Sequence, residues 1–128
     1  MKTEILTLCD NAQDYNGKTV ITGTFNEVKA ADYPTVLQNI CMVLRISFEH
    51  NEHINSNLIL KAYDIDASEA LLMKFDTPFE NMPTDNNRRS FVNAILKLDG
   101  ITLPKPGVYR FEVQIGDWKD NVELYVTK

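Results

Sequence analysis

The sequence predicts an all-β fold, an antiparallel two-sheet β-sandwich of about eight strands, immunoglobulin-like or C2-like in kind. Three observations carry this. Apolar and polar residues alternate with period two through most of the chain. Turn residues punctuate those runs at short intervals, and no run holds a helical apolar stripe for more than a turn or two.

The elements follow in order. Residues 4–9, EILTLC, and 18–28, KTVITGTFNEV, are β-rich runs separated by DNAQDYNG, where Asn16-Gly17 supplies the positive φ angles of a reversal. Residues 29–40, KAADYPTVLQNI, place Pro34 where a short helix could begin, but the run is too brief for more than one or two turns and reads as a connection crossing between sheets. In residues 41–50, Met42, Leu44, Ile46 and Phe48 fall on one face and Arg45, Ser47 and Glu49 on the other, a half-buried antiparallel strand. NLILKAYD and EALLMKF form a pair around Ile65–Ser68. Residues 76–90, DTPFENMPTDNNRRS, read as a long polar loop with two prolines, of a length usually reserved for functional or mobile segments. SFVNAILKL alternates at Val92, Ala94, Leu96 and Leu98, while Phe91, Ile95 and Leu98 also suit a helical face. Gly100 and the PKPG turn at 104–107 favour the strand. Residues 107–128 are a hairpin, with Tyr109, Phe111, Val113 and Ile115 answered by Val122, Leu124 and Val126 across the turn Asp117–Asn121.

One domain spans residues 1–128, a size that supports an independent core. The formal net charge is −5, so a phosphate backbone is an unsuitable partner and no nucleic acid is expected. The sole adjacent basic pair, Arg88-Arg89, reads as part of a solvated loop. No run is long and apolar enough to span a membrane. Glu4 and Asp10 interrupt what would be the apolar core of a signal peptide, which makes the chain cytoplasmic by expectation. Cys9 and Cys41 lack metal or redox spacing and read as small buried hydrophobes, with a disulfide between them left open.

The stretch KAYDIDASEAL, residues 61–71, gathers Asp64, Asp66, Ser68 and Glu69 as a calcium loop would. Counted from Asp64, however, the sixth position is Glu69 where such a loop needs glycine, and the twelfth is Phe75, which cannot ligate. The favoured reading is a hairpin turn whose Asp and Ser side chains bond the local backbone. The alternative is a cation site shared between end loops, drawing on Asp64, Asp66, Asp10, Asp14 or Asp120.

His50 and His53 stand in EHNEH, where Asn51 follows the first histidine and the HExxH zinc pattern fails. A polar reversal is expected there. No nucleophile elbow or phosphate-cradling glycine loop occurs. The chain is therefore expected to be no enzyme, with no catalytic, cofactor-binding or metal-ligating residues assigned and no cofactor. Trp118, Tyr63 and Tyr125 offer a stacking platform for sugar or peptide if they face outward; the competing reading folds Trp118 back over the end of the sandwich.

The strand ending in Cys9-Asp10, the Gly23-x-Phe25 step, the Tyr33-Pro34 connector and the closing P-G-x-Y-x-F run from Pro106 to Phe111 together resemble a bacterial family of small uncharacterised β-sandwich proteins. The resemblance implies the fold and attaches no activity. The expectation for function is a non-enzymatic protein-interaction or assembly module, binding a protein partner or itself. The alternatives are a C2-like or carbohydrate-binding sandwich using its end loops, and a hydrolase using His50 or a cysteine.

Overall fold

A computed structural model describes residues 1–82 and 86–128. Eleven strands and one short 3₁₀ turn make up these residues: β1 (Lys2–Tyr15), β2 (Lys18–Phe25), β3 (Glu27–Lys29), β4 (Thr35–Leu37), β5 (Ile40–Phe48), β6 (Ile54–Asp64), the turn Ile65–Ala67, β7 (Ala70–Asn81), β8 (Ser90–Leu98), β9 (Ile101–Leu103), β10 (Gly107–Ile115) and β11 (Trp118–Thr127). They form a four-stranded sheet ordered β2-β1-β5-β8, a five-stranded sheet ordered β3-β11-β10-β6-β7, and a two-stranded pair β4-β9. All pairings are antiparallel except β3 with β11. The sandwich expected from the alternation is present, and the eight expected strands are all there.

The count rises to eleven through three-residue pieces that period-two patterning cannot register. The run 18–28 divides at Asn26, because β2 belongs to the first sheet and β3 to the second. Asn26 itself accepts a backbone hydrogen bond from Tyr125. The segment 29–40 does cross between sheets, and carries β4 on the way. Its Tyr33-Pro34 peptide is cis, and the Tyr33 hydroxyl donates to the Thr127 carbonyl at 2.6 Å.

The largest difference concerns 76–90. Asp76–Asn81 continue β7, so only the remainder connects β7 to β8, and Pro83, Thr84 and Asp85 of the expected loop lie outside the described residues. Thr77 and Phe79 continue the core-facing row of Met73 and Phe75, while Asp76, Pro78 and Glu80 point the other way. Pro78 is tolerated because β7 is an edge strand, where a missing N–H breaks no ladder. The last hairpin also turns earlier than expected, at Gly116-Asp117, so Trp118 starts β11 rather than sitting in the loop.

Core-facing rows meet between the sheets. Met42, Leu44, Ile46 and Phe48 of β5 join Leu58, Leu60 and Ala62 of β6, Tyr109, Phe111, Val113 and Ile115 of β10, and Leu124 and Val126 of β11. Tyr109 fixes a corner of this core. Its ring is wholly enclosed while its hydroxyl donates to the carbonyl of Lys105, four residues upstream, at 2.6 Å. This is the tyrosine-corner arrangement of Greek-key sandwiches.

The strand β5 is more deeply buried than alternation suggests. Cys41, Val43 and Ser47, on the face away from the core, are also buried. Two structures cover them. Ala12 and Ile21, paired across the β1–β2 hairpin, pack with Ile5 and Ile95 around Cys9, Cys41 and Val43. At the other end, the register between β1 and β5 slips at Glu4, and the displaced carboxylate accepts from the Ser47 hydroxyl at 2.7 Å. Arg89 donates to both the hydroxyl and the carbonyl of Ser47 and pairs with Glu49. Of the pair read as solvated, only Arg88 is exposed; Arg89 is a clamp.

Candidate functional site

The two sheets do not close on every side. β7 ends the five-stranded sheet and β8 ends the four-stranded one, and the gap between them is an apolar seam. Its floor is Leu60, fully enclosed; its walls are Met73 and Phe75 of β7 and Ile95, Leu96, Lys97 and Leu98 of β8. Phe75 pairs with Leu60 and so occupies a core-facing position, yet 43% of it is exposed. An inward-pointing phenylalanine left this open means that no strand of the described residues covers it. The cavity holds about 340 Å³. A second hollow, lined by Leu71, Leu72, Met73, Asp99–Thr102 and Pro104, continues the seam past Met73.

Edge strands add hydrogen-bonding capacity to this apolar surface. A strand at the end of a sheet presents a row of N–H and C=O groups to any extended segment that reaches it. Phe91, on the outer face of β8, and Leu71, on β7, are exposed as well. No sequence pattern marked the seam. Met73, Phe75 and Leu96 are spaced as core residues of a strand would be, and only the strand order reveals that, among the described residues, no strand lies over them.

The residues singled out in the sequence fall elsewhere and apart. Asp64 ends β6, facing the core opposite Tyr109, and is buried with Oδ1 unpartnered. Asp66 sits in the 3₁₀ turn, and its carboxylate accepts from the Val108 N–H at 3.1 Å, while Glu69 pairs with Arg110 at 2.8 Å. The turn reading is correct, but these side chains reach across to β10 rather than to their own backbone. Ser68 and Glu69 supply the positive φ angles that close it. Asp120 is distant, on β11 opposite Val113 of β10, and accepts from the Thr3 hydroxyl at 2.7 Å. Asp14 lies on the β1–β2 hairpin opposite Thr19, and Asp10 lies over Gly23. Among the described residues, no group of three or more His, Cys, Asp or Glu is placed to hold a metal ion.

His50 and His53 occupy the reversal between β5 and β6, with His53 Nε2 at 3.8 Å from Glu80. Glu52 organises this reversal: its carboxylate accepts the Glu49 N–H at 2.8 Å, and that bond holds the acid below its usual range against the opposing effect of burial. Trp118 packs against the core from the end of the sandwich. Tyr63 and Tyr125 stand on the outer face of the five-stranded sheet, and the Arg110 guanidinium lies over the Tyr63 ring at 5.5 Å. The three aromatics therefore form no common platform. Cys9 and Cys41 are far from both histidines in the fold, near the opposite end of β5, and carry free thiols. No helix of the described residues is long and apolar enough to cross a membrane.

Residues 4–127 match the model of a family described as "Family of unknown function (DUF6941)". No curated protein matches the chain.

Proposed function

We propose that this chain, which belongs to the DUF6941 family of unknown function, is a non-enzymatic interaction module that docks an extended apolar segment of a protein partner into the seam between β7 and β8. The observation that supports this reading is the core-facing Phe75, open to solvent beside two unshielded sheet edges. A volume of about 340 Å³ stands at the low end of the roughly 300–1,000 Å³ of small-molecule pockets. It suits one or two side chains of a strand laid along the edge. Backbone bonds to the edge would supply affinity, and the side chain over Leu60 would supply selectivity. The reading carries with it a cytoplasmic, reducing setting, in which both thiols rest in the free form.

Affinity capture on the immobilised chain, with light scattering of the free chain, tests it. The expected result is a partner retained by the native chain and lost from Phe75→Lys and Leu96→Lys. A monomer that retains no partner, or a partner held equally by both variants, refutes the reading.

A further inference from the structure

We infer that Cys41 and Cys9 form an oxidation site, in which hydrogen peroxide reaches Cys41 from a surface cleft and Cys9 resolves the product as a cross-strand disulfide.

The two cysteines are directly opposite each other on the adjacent antiparallel strands β5 and β1. Residues so placed have Cα atoms about 4.5–5.5 Å apart, which lies inside the 4.4–6.8 Å window that a disulfide spans. Their accessibility differs in a useful way. Cys9 is fully enclosed, whereas Cys41, though only 5% exposed, lines a cleft of about 410 Å³ with Asp10, Asn11, Asn39, Lys97 and Asp99. Lys97 is the neighbour of Cys41 on its other side, directly across from it on β8. It offsets one of the two carboxylate charges, those of Asp10 and Asp99, in the same cleft. Burial, with Cys41 beside it, pushes the Cys9 thiol up, so that Cys9 stays protonated and waits for its partner to react.

The chemistry balances with one equivalent of hydrogen peroxide. The Cys41 sulfur attacks the peroxide oxygen, the O–O bond breaks, and the leaving hydroxide takes up the thiol proton as water. Cys41 is then a sulfenic acid. The Cys9 sulfur attacks the Cys41 sulfur, the S–O bond breaks, the S–S bond forms, and a second water leaves with the Cys9 proton. Two thiols are oxidised and one peroxide is reduced to two waters. Cross-strand Cβ atoms sit about 4.5–5.5 Å apart against about 3.8 Å in a relaxed disulfide, so the bridge pinches the ladder and is readily reduced again. It acts as a reversible mark rather than a permanent staple.

The test treats the folded chain with hydrogen peroxide and maps thiols by non-reducing peptide mass spectrometry. The expected product links Cys9 to Cys41 within one chain, with the intact mass lower by two hydrogen atoms and both thiols lost together; dithiothreitol restores them. In Cys9→Ala, dimedone labels a sulfenic acid at Cys41 several-fold more than in the native chain. In Cys41→Ala, Cys9 stays unreactive until urea unfolds the protein. Sulfinic acid accumulating at Cys41 in the native chain while Cys9 keeps its thiol would overturn the inference. So would thiols that react only in urea. The mapping on the native chain stands independently of whether either variant folds.

Discussion

The corner at Tyr109 yields a prediction that can be worked from its contacts. In Tyr109→Phe the ring stays within the core and only the hydroxyl is removed. What is lost is the bond to the Lys105 carbonyl at 2.6 Å, together with a long contact from the Lys105 N–H at 3.4 Å. Lys105 is exposed, so its carbonyl can turn to water and escapes the full penalty of a buried orphan. The net loss is then near that of an ordinary hydrogen bond, about 1 kcal/mol, equivalent to roughly 4 °C in melting temperature for a domain of this size. Tyr109→Ala empties a site that is 0% exposed and should cost about 4 kcal/mol. Urea unfolding at neutral pH measures both, with an unchanged slope for Tyr109→Phe. Burial also pushes the Tyr109 phenol up, so its ionisation should be delayed relative to a free tyrosine during an alkaline titration. Since its folded-state value is raised, its contribution to stability is complete below the ordinary phenol range and is lost as pH rises through that raised value. A Tyr109→Phe midpoint indistinguishable from the native one would refute the corner as a source of stability and leave the ring as mere filling.

Further outcomes are expected. Gly23→Ala should cost at least about 1 kcal/mol by thermal melting, since φ is +70° and the added methyl strikes the Asp10 carboxylate; adding Asp10→Ala should relieve the carboxylate clash but neither the contact with the Asp10 Cβ nor the backbone term. Phe75→Ala should cost only about 1 kcal/mol because Phe75 is already 43% exposed, against about 4 kcal/mol for Phe111→Ala at 0%, a contrast that urea titration of the two variants resolves. Glu52 has a lowered folded-state pKa, caused first by the Glu49 N–H, so its contribution is present above the unfolded carboxylate range and disappears as pH falls through the lowered value. Melting curves between neutral and acid pH should accordingly show a shallower acid loss in Glu52→Gln.

Much of this fold can be read from side-chain alternation, and the exceptions have physical causes. Tyr109, Phe111, Val113 and Ile115 alternate in sequence and in space, since β10 has one face in the core and one in water. β5 breaks the rule at Cys41, Val43 and Ser47 because a hairpin and a salt-bridged arginine cover its second face, and those covers come from residues 12, 21 and 89. Pro78 concealed the end of β7, because proline signals a loop unless the strand is known to be an edge. The candidate site was illegible for the same reason. Phe75 and Leu96 carry a core pattern, and their exposure depends on sheet order, which no local pattern encodes. The acidic stretch at 61–71 was legible as a turn but not in its partners, since Val108 and Arg110 are some forty residues away.

The double covering of β5 has a consequence for how this molecule opens. With β1 on one flank, β8 on the other, and side chains packed above and below, no partial fraying exposes the amides of Ile40–Phe48. Their deuterium uptake should await complete unfolding, while the solvent-facing amides of β7 and β8 exchange early. The strand nearest the middle of the sheet thus acts as a clock for the whole chain, and the sheet borders report only on themselves.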